Sequence, residues 1–470
     1  MSANVSGHDL REYYDAFPDE KLDSRFTRLQ SPRSILWNMV SPRRSSPRVL
    51  HVLAGIGVGA IALQSAKVLL NLFGPEPRFA MSDTLDAALD SEEFIQFLSI
   101  ITDGTRRRSR LKRLRNGVEF YPEYLRAIAA AKHAINLEFY EFLRGDITSQ
   151  ILAALAERAR SGVAVRLIVD AIGSVGVPDS YFAELRAAGG HMCWYHPLHW
   201  DTWQDLNQRT HRKLLIIDGE TGFIGGAGVA DQWWRPTAKD PAWRDTVFCV
   251  EGEVVAGLIS TFAENWLECS GQILSGERQF GFRAMPEGCE SFVVSSTPRG
   301  GGTQARILFQ ALINSARQTI RITTPYFLPD RAARRALVAA VRRGVRVEIL
   351  TAGPHIDHAY IRTLSRHASR HLLLGGARIW EYQPAMIHAK LMTVDSMWSV
   401  VGSTNFDHRS FALNDEVNLA ALDRDLARVI EQDFADDLTQ SRPLTLAMLH
   451  QRTPLGKVEN VIDHAIEHES

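Results

Sequence analysis

The chain carries one short pattern twice: His211-x-Lys213-x4-Asp218 and His388-x-Lys390-x4-Asp395. The flanking text repeats with it, THRKLLIIDGETGFIGGAG beside IHAKLMTVDSMWSVVGSTN. This duplication constrains the fold because each copy can supply half of a symmetric arrangement. Within a copy, His and Lys stand two residues apart, so on a β-strand both side chains point to one face. The apolar runs Leu214 to Ile217 and Leu391 to Val394 predict buried strands. Asp218 and Asp395 close those strands. A second strand then leads into a Gly-rich turn at Gly225-Gly226 or Gly402-Ser403. A lone HxK is a weak signal; two copies, each with its Asp and its turn, are a strong one.

The duplication extends through two halves of similar grammar. The first half predicts a helix (Tyr124–Lys132), a strand (Ile135–Tyr140), a helix (Ser149–Arg160), Gly162 and a strand (Val165–Val169). The second predicts a helix (Gln304–Ser315), a strand (Ile320–Thr324), a helix (Ala332–Arg342), Gly344 and a strand (Val345–Leu350). In ARSGVAVRLIVD and VRRGVRVEILTA, a glycine ends a helix and releases the chain into a β-branched strand. Strands alternating with helices imply α/β domains with helices on both faces of a sheet. The expected body is bilobed and pseudo-twofold, with repeats at 116–285 and 286–445, the motif strands meeting between them, and a tail at 446–470.

The N-terminal part differs in kind. Residues 1–48 are polar, with several arginines and prolines and little periodicity, and read as largely irregular. Val49–Phe73 reads VLHVLAGIGVGAIALQSAKVLLNLF, about long enough to span a bilayer as a single membrane-anchoring helix. The arginines before it favour a cytoplasmic N-terminus by the positive-inside rule. Residues 74–115 form a connector: 82–104 reads as helical and acidic, and Arg106–Arg115 is a basic run. That run reads as a solvated edge strand and its approach; the competing reading is a patch for anionic lipid headgroups. A net charge of −1 argues against a protein that coats nucleic acid. Cys193, Cys249, Cys269 and Cys289 have no metal-ligand spacing and are expected to be buried free thiols, with a disulfide as the minor alternative.

Two imidazoles and two ammonium groups brought together suit a phosphodiester. One His attacks phosphorus, since a phosphohistidine is labile; the other protonates the leaving oxygen and then deprotonates the acceptor. Lys213 and Lys390 would hold the phosphoryl oxygens. Four basic groups can do the work of a metal, and neither motif has the clustered carboxylates that magnesium or calcium would need, so no metal or cofactor is expected. Asp218 and Asp395 are the nearest carboxylates for fixing the histidines. Asp245 in WRDT and Glu416 in NDEVNL follow each motif by a similar interval and are better placed to do so. Gly226 lies in the first turn, while Ser403 and Asn405 in GSTN can donate hydrogen bonds to phosphate.

With these residues in view, the chain resembles the phospholipase D superfamily, and within it the bacterial cardiolipin synthases. The two HxKxxxxD motifs carry the superfamily resemblance. TPYFLPD at Thr324–Asp330, IHAKLMTVD at Ile387–Asp395 and GSTNFDHRSFALNDEVNL at Gly402–Leu419 carry the narrower one. The resemblance covers about Asn116 to Arg442. It implies transfer of a phosphatidyl group from one phosphatidylglycerol to another through a phosphohistidine, at a bacterial inner membrane. It also implies an active-site set of His211, Lys213, Asp218, His388, Lys390 and Asp395. Hydrolysis or transfer to other alcohols remains the alternative, and a nuclease of the same superfamily is less favoured. One departure stands out: Gly228 occupies the place where the family has an Asn matching Asn405.

Overall fold

The computed structural model describes residues 81, 86–197, 208–236, 240–276, 279–281, 284–297 and 303–449. The expected anchor at Val49–Phe73 lies outside these residues. Among the described residues, no helix is long and apolar enough to cross a membrane.

The connector supplies β1 (Arg107–Arg115), and the first repeat contributes β2 (Ala134–Phe139), β3 (Ala164–Asp170), β4 (His191–Tyr195), β5 (Lys213–Ile217), β6 (Thr221–Gly225) and β7 (Thr246–Gly252). The second contributes β8 (Cys289–Ser296), β9 (Thr319–Thr323), β10 (Phe327–Leu328), β11 (Arg346–Ala352) and β12 (Arg378–Tyr382). It continues with β13 (Leu391–Val394), β14 (Trp398–Gly402), β15 (Phe406–Asp407), β16 (Glu416–Leu422) and β17 (Ser441–Pro443). Apart from the short parallel pair β10–β15, these strands form one sheet in the order β17-β12-β11-β9-β13-β14-β16-β8-β1-β7-β6-β5-β2-β3-β4.

The order is a near-palindrome about the antiparallel β1–β8 pair. Outward from that pair, β7-β6-β5-β2-β3-β4 answers β16-β14-β13-β9-β11-β12, with the motif strands β5 and β13 in equivalent places. Both are antiparallel to their neighbours β2 and β9. Beyond them lie the parallel pairs β2–β3 and β9–β11, each reached through a helix, Asp146–Arg160 or Arg331–Arg342. Gly162 and Gly344, at φ of 87° and 93°, follow those helices and turn the chain into its strand.

Strand alternation sorts the core. In β5, Leu215 and Ile217 face one apolar cluster with the helices Gly117–Ala130 and Asp146–Arg160. Leu214 and Ile216 face another with the helix Val255–Ser270. That second cluster also takes in Leu391, Val401, Val417 and Leu419 of the second repeat, so the repeats share one core.

Two expectations are corrected. The basic run is not a solvated edge strand: β1 lies mid-sheet, paired to β7 and β8. Five of its seven basic side chains, those of Arg106, Arg108, Lys112, Arg113 and Arg115, pair with carboxylates. Arg106 and Arg108 pair with Glu290, Arg113 with Asp433, and Arg115 with Asp433, Asp436 and Asp437. Nor are all four cysteines free: Cys193 on β4 and Cys269 on the helix packed beneath it form a disulfide, leaving Cys249 and Cys289 as thiols.

Candidate active site

Both motif histidines enter their strands from extended segments that pair with the opposite repeat. Thr210 bridges Asp415 and Arg244 bridges Ile387, each in parallel sense. The His211 N–H donates to the Asp415 carbonyl at 2.9 Å, and the His388 N–H to the Arg244 carbonyl at 2.7 Å. This exchange of backbone hydrogen bonds places Glu416 beside His211 and Asp245 beside His388.

His211 Nδ1 lies 3.0 Å from Glu416 Oε1, and His388 Nδ1 lies 2.9 Å from Asp245 Oδ2. Each imidazole is therefore held by a carboxylate from the other repeat. With Nδ1–H donated, the neutral ring carries its lone pair on Nε2. Lys213 Nζ donates to the His211 carbonyl at 2.6 Å, and Lys390 Nζ to the His388 carbonyl at 2.5 Å. Lys390 Nζ also lies 3.1 Å from His388 Nε2. All four motif side chains are buried. Aromatic rings shape the walls: Tyr140 against His211 and Lys213, and Trp233 and Trp243 against His388.

Burial, with the lysines beside them, pushes both imidazoles down to about 4, against the opposing pull of their carboxylates. Burial and mutual repulsion bring Lys213 down to about 7; burial brings Lys390 down to about 8. Burial opposes ionisation of Asp245 and Glu416, yet His388 holds the first and His211 the second below the usual carboxylate range. The arrangement is a resting site with two neutral imidazoles, two nearby carboxylates and two lysines poised to bind an anion.

Asp218 and Asp395, expected in the catalytic set, are placed elsewhere. Asp218 accepts from the N–H groups of Lys132, His133 and Ala134. Asp395 does the same for Arg317, Gln318 and Thr319. Each carboxylate ties the far end of its motif strand to the start of the neighbouring strand, so neither is brought to an imidazole. Ser403 is also spoken for: its Oγ donates to Glu416 Oε2. Asn405 is buried, and its Oδ1 has no hydrogen-bond partner among the described residues. Gly226 packs so closely that a Cβ would lie 2.7 Å from both Asp245 Oδ1 and the His388 carbonyl oxygen.

Sequence reasoning missed Trp233 and Glu141. Trp233 Nε1 donates to Asp245 Oδ2 at 3.0 Å. Glu141 accepts from Gln232 Nε2 at 3.1 Å, and burial, opposed by Lys213, pushes its carboxyl up to about 7. The Trp233-Trp234 pair just after the first Gly-rich turn, with Trp243 close behind, was the available hint of an aromatic wall. Glu141 follows a predicted strand with nothing to mark it.

The comparisons with known proteins agree with this architecture. The family model described as cardiolipin synthase, PLD-like domain, matches residues 124–266 and 309–438, one stretch in each repeat. A protein named probable cardiolipin synthase YwiE, from Bacillus subtilis, is 33% identical over 73% of this chain and 69% of its own length. Cardiolipin synthase 1 of Bacillus anthracis is 32% identical over 74% of this chain and 70% of its own. Among solved structures, a phosphatidylserine synthase of Haemophilus influenzae aligns over 80% of this chain and 97% of its own, with a TM-score of 0.60 at 14% identity, a likeness of fold. With both repeats matched and the paired motifs in place, the chain belongs to the cardiolipin synthase family of PLD-like proteins.

Proposed function

We propose that this protein is a membrane-associated phosphatidyltransferase that makes cardiolipin from two phosphatidylglycerol molecules. The observation that carries this reading is the crossed pairing of two histidines with two carboxylates, His211 with Glu416 and His388 with Asp245, beside Lys213 and Lys390.

The first half-reaction forms a bond from one imidazole Nε2 to phosphorus and breaks the phosphorus–oxygen bond to glycerol. The other imidazole, protonated, gives its proton to the leaving alkoxide, and glycerol departs. That imidazole then takes the proton of a hydroxyl on the second phosphatidylglycerol. The resulting oxygen attacks phosphorus and the phosphohistidine bond breaks. His211 is the nucleophile in this scheme, as the family resemblance implies, and His388 the acid and base. The bound phosphodiester offsets the positive charge of the lysines, so the acid gains its proton as substrate enters. Lys213 and Lys390 hold the non-bridging oxygens, and Asn405 offers an amide to the same group.

The Cys193–Cys269 disulfide favours an oxidising compartment for the catalytic body. Together with the apolar run at Val49–Phe73, this supports a topology with the N-terminus in the cytoplasm. Expression in a bacterium lacking cardiolipin, followed by lipid extraction, tests the reaction. Cardiolipin should appear, and its appearance should depend on His211 and His388. Phosphatidic acid as the only new lipid would show water to be the acceptor and reject the synthase reading.

A further inference from the structure

The two carboxylates that face the histidines are held by different devices. Glu416 takes a hydrogen bond from Ser403, in the turn of its own repeat. The equivalent residue in the first repeat is Gly226, which has no hydroxyl. A side chain cannot be added there, because its Cβ would lie 2.7 Å from Asp245 Oδ1 and from the His388 carbonyl oxygen.

Asp245 is served instead by an indole. Trp233 Nε1 donates at 3.0 Å to Asp245 Oδ2, the same oxygen that faces His388 Nδ1 at 2.9 Å. The other carboxylate oxygen takes the Thr246 N–H at 2.7 Å. The Trp233 ring stands edge-on to His388, centroids 5.4 Å apart, and edge-on to Trp243 at 4.9 Å. Trp233 is 1% exposed. The rim of its ring is one of the atoms a Cβ at Gly228 would meet, at 3.2 Å, after the Glu141 carbonyl at 2.7 Å. The glycines at 226 and 228 are thus explained together: one makes room for Asp245, the other for the indole and for Glu141.

We propose that Trp233 is a positioning residue for the acid–base histidine, fixing Asp245 so that His388 is held in its Nδ1–H tautomer, as Ser403 fixes Glu416 for His211. The inference rests on the two-histidine reading above. It extends that reading by giving a chemical role to a tryptophan outside both motifs. Among the described residues, Lys390, Asp245 and Lys213 are the charged groups that act most strongly on His388, and Trp233 is a neutral donor beside them. Without its N–H, more negative charge remains on Asp245 Oδ2 and His388 binds its proton more tightly.

The test uses full-length enzyme in mixed micelles of detergent and phosphatidylglycerol. Two variants remove the donor: Trp233→Phe, and replacement of Trp233 by 3-benzothienylalanine, an isostere with sulfur in place of the indole N–H. The isostere preserves the packing, so it answers the question even where Phe leaves a destabilising gap. The expected result is a fall in kcat of about 10- to 100-fold with little change in KM. The basic limb of kcat, set by protonated His388 in the substrate-bound enzyme, should move up by about one unit in the isostere. Unchanged kcat in the isostere, or reduced kcat with an unmoved limb, would overturn the proposal. Full activity in His388→Ala would instead strike the two-histidine reading, so the two failures are distinct.

Discussion

His388 is paired with Asp245, a residue 143 positions earlier in the chain and in the other repeat, with Nδ1 and Oδ2 2.9 Å apart. His211 and Glu416 repeat the relation across 205 positions. Neither repeat contains a complete pair, so the site exists only where the repeats dock. The backbone enforces this: the carbonyl of Asp415, just before Glu416, binds the His211 N–H, and that of Arg244, just before Asp245, binds the His388 N–H. A pair of groups buried in this way has few orientations available, which suits a reaction in which one imidazole must attack and the other must shuttle a proton.

Asp245→Asn and Glu416→Gln should each lower kcat about 10- to 100-fold while leaving KM nearly unchanged. The amides fill the same space but do not stabilise an imidazolium. Steady-state kinetics on detergent-dispersed phosphatidylglycerol measures the effect; a loss confined to KM would mean that these carboxylates act on substrate binding instead.

Asp218→Ala and Asp395→Ala should act on stability. Each removes a carboxylate that accepts three backbone N–H groups. Hydrogen bonds to a charged group contribute about 1.5–3 kcal/mol, so the unfolding temperature should drop measurably. The fraction that remains folded should keep near-normal kcat. A variant with unchanged melting and abolished turnover would return these residues to the catalytic set.

The contrast shows what could be read from the chain alone. The HxK spacing and the apolar run after it marked β5 and β13, because one face of a strand is a two-residue repeat. Helix, glycine and strand could be read in both halves, because Gly162 and Gly344 end their helices in a conformation few other residues accept. The pairing partners could not. Asp245 and Glu416 stood out as candidates by interval, but their exchange between repeats depends on docking, which no local pattern encodes. The basic run misled for a related reason: Arg115 reads as solvent-facing until Asp433, Asp436 and Asp437, over 300 positions later, are brought against it. The Cys193–Cys269 bond likewise needs β4 to lie over a helix 76 positions away.

Alkaline pH should weaken substrate capture before it slows chemistry. Burial lowers Lys213 to about 7 and Lys390 to about 8. A group with a lowered pKa is charged below that value and neutral above it. In the free enzyme the lysines therefore lose charge as pH rises through about 7–8. A bound phosphodiester anion favours the charged lysines, so kcat should hold to higher pH than kcat/KM. Profiles of the two parameters between pH 6 and pH 10 test this, and coincident basic limbs would contradict it.

Gly228→Asn should lower activity with every acceptor. The backbone there is not left-handed, so the constraint is space. A Cβ would meet the Glu141 carbonyl at 2.7 Å and the Glu141 Cβ at 2.9 Å. Restoring the amide found at Asn405 would therefore displace Glu141 and Trp233 before it could reach phosphate. Transfer rates with phosphatidylglycerol and with short alcohols check the outcome; a gain with any of them would show that the loop can open to admit the side chain.

In the proposed mechanism one histidine carries the phosphatidyl group while the other, supported by the opposite repeat, moves the proton. Enzyme mixed with phosphatidylglycerol labelled in its phosphodiester, quenched in milliseconds under alkaline conditions and digested, reports this directly. The account predicts acid-labile label on the peptide containing His211. The label should persist in His388→Ala when a donor with an activated leaving group is supplied, and be absent in His211→Ala. Turnover without any covalent label, or label on a residue outside both motifs, would contradict it.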